Sequence, residues 1–265
     1  MSDTGSPHRA ESGAEPVTVP SGRIGIFDIV RGAAVVSMVL FHLCYDLKFI
    51  AGVPLPWFEP PLQDVWRCSI SWTFLFVAGC MCPLSRSNLR RAVQYGGVAL
   101  AIWIVTTVAA VDVPISFGII YCMAACTLVA WALSRAHALP RGRVAALVLA
   151  AAFVLLLGLP DGHVGIAGLR AEIPRALYDS GLLSWLGLPG GGFASGDYYP
   201  LLPYLMLYLA GAAMGTAWAG DGYPAWAREA RFEPLALVGR HALAVYVLHQ
   251  PALLAVSALV AGVVL

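Results

Sequence analysis

Between Phe27 and His42 the chain reads FDIVRGAAVVSMVLFH, apolar enough to lie in a lipid bilayer, yet carrying Asp28, Arg31 and His42. Asp46 follows one turn later. An α-helix turns about 100° per residue, so Asp28, Arg31, Val35, His42 and Asp46 fall within an arc of roughly 60°. Ser37 and Lys48 lie on the opposite face. Ionisable groups in a membrane helix are costly and face a bundle interior or a wet cavity. The segment is therefore expected to line a polar cavity in the membrane. At ~1.5 Å rise per residue, Arg31 and His42 stand about 16 Å apart along it.

The rest of the chain fits a membrane setting. Hydrophobic residues make up 59% and charged residues 12%, against about 25% charged in a soluble domain. The net charge of +1 and the lack of a basic tract exclude a nucleic-acid partner. Residues 1–22 are rich in Ser, Gly, Pro and Glu and are expected to be a disordered cytoplasmic tail preceding one integral-membrane domain, residues 23–265. The six cysteines form no CxxC and no Cys/His metal spacing, so no metal site is expected. They read as small buried hydrophobes, with a Cys44–Cys68 disulfide left open.

About 20 apolar residues cross a bilayer. Seven such segments are expected: Ile24–Tyr45, Val65–Pro83, Ala92–Val111, Ser116–Ser134, Val144–Leu159, Tyr199–Ala219 and Leu235–Leu265, the last interrupted by Pro251. The fold class is thus an all-α polytopic transmembrane helical bundle. Lys and Arg bias sets orientation. Ten such residues, including Arg86, Arg90, Arg91, Arg135, Arg141, Arg143, Arg228 and Arg231, fall on the side of the N-terminus, and four, Lys48, Arg67, Arg170 and Arg175, on the other. The N-terminus is therefore expected in the cytoplasm, with His42 near the outer surface and Arg31 and Arg240 towards the cytoplasmic side. The long loop from Pro160 to Tyr198 then lies outside, with an amphipathic helix expected over Ala171–Leu186, and is either a binding loop or a connector.

Asp28 and Arg31 are either a structural i,i+3 ion pair or part of the site. At i,i+4 the Asp46 carboxylate can hold one nitrogen of His42 and leave the other as a base, the arrangement that activates a hydroxyl or amine. Arg67 is either an interfacial partner of Asp64 or a neighbour of Asp46. In LVGRHALAVYVLHQPALL (Leu237–Leu254), Tyr246 and Gln250 share roughly the face of Arg240. Pro251 lacks an N–H and is expected to kink the helix, which makes His249 and Gln250 cavity-lining candidates. Two external loops, DVPISFG (Asp112–Gly118) and DYYPLLP (Asp197–Pro203), are further binding candidates, with Asp197 a cap for the helix that follows it. No Walker loop, GxGxxG turn, HExxH or GxSxG is present, so nothing supports NTP-driven or zinc chemistry.

FDIVRGAAVVSMVLFH, FGII, DYYPLLPYLMLYLAG and GRHALAVYVLHQP together resemble the bacterial branch of the heparan-alpha-glucosaminide N-acetyltransferase catalytic-domain family, in order from about Arg23 to Leu254. The Arg31-x10-His42 spacing is also similar to acyltransferase family 3, where an Arg and a His on the first helix are required for transfer. The resemblance implies an integral-membrane acyltransferase that takes an acyl group, commonly acetyl, from cytoplasmic acyl-CoA and passes it to a sugar at the outer face. In the lysosomal member the proposed catalytic His lies beyond the first helix, in a stretch that this chain fills with Ala51–Trp57 and no His. His42 therefore rests on the family 3 pattern and on its Asp46 partner, not on the lysosomal enzyme.

The expectation is a multi-pass enzyme of the cell membrane. His42 is the base, Asp46 its orienter, and Arg31 and Arg240 the cations for acetyl-CoA, Arg31 also polarising the thioester. Asp28, Arg67, Asp197, Tyr246, His249 and Gln250 are the candidate acceptor-side residues. Expected partners are acyl-CoA, a glycan or glycolipid acceptor and the bilayer, with a homodimer left open. A small transporter or flippase, with the same charges as its pathway, is the alternative; a non-catalytic membrane subunit is the third reading.

Overall fold

The computed structural model describes residues 24–110 and 112–262. The expected tail at residues 1–22 lies outside them. The described chain is mostly helical: α1 (Gly25–Tyr45), α2 (Leu62–Cys80), α3 (Asn88–Ala109), α4 (Ile119–Arg135), α5 (Arg143–Leu156), α6 (Leu201–Gly220), α7 (Ala225–Glu229), α8 (Glu233–Arg240) and α9 (Ala242–Val260). A short antiparallel hairpin, β1 (His163–Ile166) with β2 (Leu169–Glu172), interrupts the series.

Among the described residues, five helices are long and apolar enough to cross a membrane: α1 with its extension to Ile50, α3, α5 with the turn to Asp161, α6 and α9. The helix α4 is apolar but 17 residues long, and α2 carries Asp64 and Arg67 in its first two turns. Leu, Val and Ile side chains on α3, α5 and α9 face outward, Val108, Val144 and Leu259 among the most exposed. Outward apolar faces of this extent suit a lipid solvent, where no hydrophobic force drives helices together and packing depends on close backbone approach.

Two crossings show that approach. At α1 against α8, a Cβ on Gly32 would sit 1.9 Å from the Leu235 carbonyl oxygen, and one on Gly239 would sit 1.8 Å from that of Asp28. At α2 against α6, a Cβ on Gly79 would meet the Tyr208 carbonyl at 2.0 Å, and one on Gly211 the Phe76 carbonyl at 2.1 Å. Only glycine fits at these four positions. The main apolar core joins α2, α4, α5 and α6 around Leu75, Cys122, Cys126, Phe153 and Tyr208. A second cluster closes the far end of α1. There Phe58, from the loop after α1, is fully buried against Phe41 and Trp66, with ring centroids 5.2 and 6.0 Å away.

Three expectations are corrected. The segment expected as one span from Leu235 breaks at His241, where φ −105° and ψ 18° leave helical geometry, into α8 and α9. Pro251 lies inside α9 and does not end it. The stretch expected as an amphipathic helix, Ala171–Leu186, forms the second hairpin strand and two 3-10 turns, Arg175–Tyr178 and Gly181–Leu186. Those turns are pinned by the Tyr178 hydroxyl donating to the Leu159 carbonyl and the Tyr198 hydroxyl donating to that of Ser184. All six cysteines are free thiols, so no disulfide joins Cys44 to Cys68.

Candidate active site

α1 passes between α2, α8 and α9, which turns its polar stripe inward. Near the C-terminal end of α1, His42 Nδ1 lies 3.1 Å from His249 Nε2 on α9. The two rings stand 4.9 Å apart at 47°. The other nitrogen of His249, Nδ1, lies 2.7 Å from the Tyr246 backbone carbonyl, one turn back along α9. His249 is buried and His42 is partly accessible.

Asp46 begins the single π-helical turn Asp46–Ile50 that extends α1. Its carboxylate is turned towards α9. There Gln250 Nε2 donates to both Asp46 oxygens, each at 3.0 Å. Asp46 is fully buried, and no Asp46–His42 hydrogen bond forms, so the expected orienting pair is corrected. Each end group of α1 instead takes a partner from α9: His42 takes His249 and Asp46 takes Gln250. The expected polar face of α9 is real, but Arg240 is not part of it, because the break at His241 separates Arg240 from Tyr246 and Gln250. The Gln250 carbonyl oxygen is buried and has no hydrogen-bond partner among the described residues.

Towards the N-terminal end of α1, Asp28 is buried and pairs with Arg31 Nη1 at 3.7 Å, the i,i+3 contact that composition permits. Arg31 also points at the Met81 thioether, 3.9 Å away. Arg240 closes α8 and pairs with Glu233, seven residues back. Both arginines line one cleft of about 530 Å³, with His241 beside them and Val98, Leu243, Ala244, Val247 and Leu248 as its apolar wall. Sequence reading paired Arg31 with Arg240 but missed His241 and Val98. His241 is adjacent to Arg240 in the chain, which was the available signal; Val98, an ordinary apolar residue of α3, gave none.

Arg67 and Asp197 occupy a third place. Arg67 Nη2 lies 3.4 Å from Asp64 Oδ1, both half-exposed, and no Arg67–Asp46 pair forms. Asp197 caps a helix, but not the one that follows it: its Oδ2 accepts from the Ile119 N–H at 3.0 Å, at the start of α4. The loops before α4 and before α6 are zipped together here, since the Tyr199 N–H donates to the Phe117 carbonyl at 2.7 Å and Ser195 Oγ accepts from the Ser116 N–H at 3.1 Å. Burial pushes the Asp197 carboxyl up to about 6, against the opposing pull of the Ile119 N–H and the Arg67 guanidinium. Among the described residues, no group of three or more His, Cys, Asp or Glu is placed to hold a metal ion.

The arrangement is a two-ended polar seam: a cationic cleft at one end of α1 and an imidazole pair beside a buried carboxylate at the other. The family model for the catalytic domain of heparan-alpha-glucosaminide N-acetyltransferase matches residues 23–251. The chain therefore belongs to that family, and with its apolar helices it is a membrane protein of the acetyltransferase class. No curated protein and no solved structure matches it.

Proposed function

We propose that this protein transfers an acetyl group from cytoplasmic acetyl-CoA to a hydroxyl or amine of a glycan or glycolipid on the outer side of the cell membrane. The observation that carries the reading is the seam itself. Arg31 and Arg240 share one cleft, and His42 stands about 16 Å further along the same helix. The pantetheine arm that separates the phosphates of CoA from its thioester bridges a separation of this order. The arginines are suited to the phosphates, as paired guanidinium forks are elsewhere. His42 then acts on the acceptor as a general base. The acceptor's oxygen or nitrogen bonds to the acetyl carbon as the C–S bond breaks. The acceptor's proton passes to the imidazole and on to solvent, and the CoA thiolate is protonated from solvent. Gln250, held by Asp46, offers its free carbonyl oxygen to the acceptor. Asp28 holds Arg31, and Arg67, Asp197 and Tyr246 border the outer end.

The charge bias of the loops supports seven spans with the N-terminus in the cytoplasm, which sets the donor cleft on the cytoplasmic side. The test is transfer from labelled acetyl-CoA to a pool of cell-envelope glycans by the purified protein in lipid nanodiscs. Label on glycan that is lost in Arg31→Ala with Arg240→Ala supports the reading. No label on any pool, together with no acetyl-CoA binding by the folded protein, overturns it in favour of transport.

A further inference from the structure

Resting on that reading, we infer that His249 is the positioning residue of the reaction: it fixes which nitrogen of His42 is free to take the acceptor's proton. The contacts of the two rings point to one chain of hydrogen bonds, with the Met38 carbonyl as a further acceptor beside the His42 ring. A backbone carbonyl only accepts, so the contact of 2.7 Å between His249 Nδ1 and the Tyr246 carbonyl requires a proton on Nδ1. Charging a buried ring that has no carboxylate in contact is costly, and the Asp46 carboxylate is engaged by Gln250. The His249 ring is therefore neutral and carries a lone pair on Nε2. That lone pair faces His42 Nδ1 at 3.1 Å, so His42 Nδ1 carries the proton and donates. What remains is His42 Nε2, unprotonated.

The consequence is a base held in the tautomer that a free imidazole side chain does not favour in water. The same logic operates in the Ser-His-Asp arrangement, where a partner at Nδ1 keeps Nε2 as the base. Here an imidazole does that work. When His42 accepts a proton at Nε2, its Nδ1–H bond to His249 strengthens, because the donor is then a cation. The backbone anchor matters as much as the ring, since without the Tyr246 carbonyl His249 could present N–H instead of a lone pair. The role is distinct from shaping a cavity, which any residue of similar volume would do.

The test reads the tautomer directly and does not depend on catalysis. The protein is labelled with 15N-histidine in nanodiscs, with the His42 signals assigned by their loss in His42→Gln. The expected wild-type result is a protonated Nδ1 and an unprotonated Nε2 on His42. In His249→Ala the two tautomers mix and kcat falls about 10²–10⁴-fold with KM little changed. In His249→Gln the side-chain carbonyl replaces the acceptor, restoring the His42 tautomer and at least a tenth of kcat. A wild-type His42 protonated at Nε2 overturns the proposal even if transfer is observed. So does a tautomer unmoved by His249→Ala, or a Gln variant no better than Ala. A wild type with the expected tautomer but no acetyl transfer upholds the geometry and overturns the acyltransferase reading instead.

Discussion

His42 and Asp46 are four residues apart on one helix, and that spacing alone would make them a pair. They part because each meets a partner on α9 instead, His249 for His42 and Gln250 for Asp46. Local periodicity identifies which face of α1 is polar; it cannot report which group on α9 meets each residue, because that depends on the α1–α9 packing. Two expectations follow at this scale. Asp46→Ala strands the Gln250 amide in a buried site and costs about 1–3 kcal/mol of stability. Asp46→Asn keeps an acceptor for that amide and retains kcat within about ten-fold, whereas an orienting carboxylate lost in the same way costs about 10⁴-fold. Thermal unfolding in detergent and steady-state kinetics separate these. Asp197 gives a prediction in pH. Between the ordinary carboxylate range near 4 and about 6 the folded chain holds a proton that the unfolded chain has released. Stability therefore falls as pH rises through that window, by about 3 kcal/mol at full extent. Asp197→Asn keeps the cap on α4 and removes this contribution. Its stability should match wild type near pH 4 and exceed it above pH 6, and identical pH profiles for the two would contradict the buried carboxyl.

Among the elements, the α1–α8 crossing sets the distance between the two arginines, since Arg31 directly precedes the contact glycine Gly32 on α1 and Arg240 directly follows Gly239 on α8. Gly239→Val drives a side chain into the Asp28 carbonyl. It should destabilise the protein by about 1–3 kcal/mol or more and weaken acetyl-CoA binding. Gly97→Ala on α3, where a Cβ meets nothing within 4 Å, should be neutral or stabilising by up to about 1 kcal/mol. Melting curves of the two variants side by side make the comparison. Most helices were legible from apolar length and from their basic flanks. The break at His241 was not. Pro251 is the stronger sequence signal for an interruption, yet α9 runs through it, while the α8–α9 break lies at a residue with no breaking chemistry of its own. The helix expected over Ala171–Leu186 failed for a related reason: its apolar spacing is also compatible with a strand and two tight turns held by Tyr178 and Tyr198.

Taken as a molecule, the protein combines thin, lipid-facing helices with a polar seam confined to α1 and the segments that cover it. The composition announced the membrane, and the stripe on α1 announced the seam. Which groups meet α1 along the seam came only from packing, because α8 and α9 approach α1 from more than 180 residues away in the chain. The charge bias predicts a sided enzyme. A phosphatase reporter fused after Val260 should be active outside the cell, and an active cytoplasmic reporter there would contradict seven spans. The most direct measurement loads acetyl-CoA on one face of oriented proteoliposomes and a glycan acceptor on the other. The seam predicts labelled acetyl-glycan across the bilayer for wild type and at least a 100-fold loss for His42→Gln at unchanged acetyl-CoA affinity. Transfer only when donor and acceptor share one face, or transfer undiminished in His42→Gln, would contradict it.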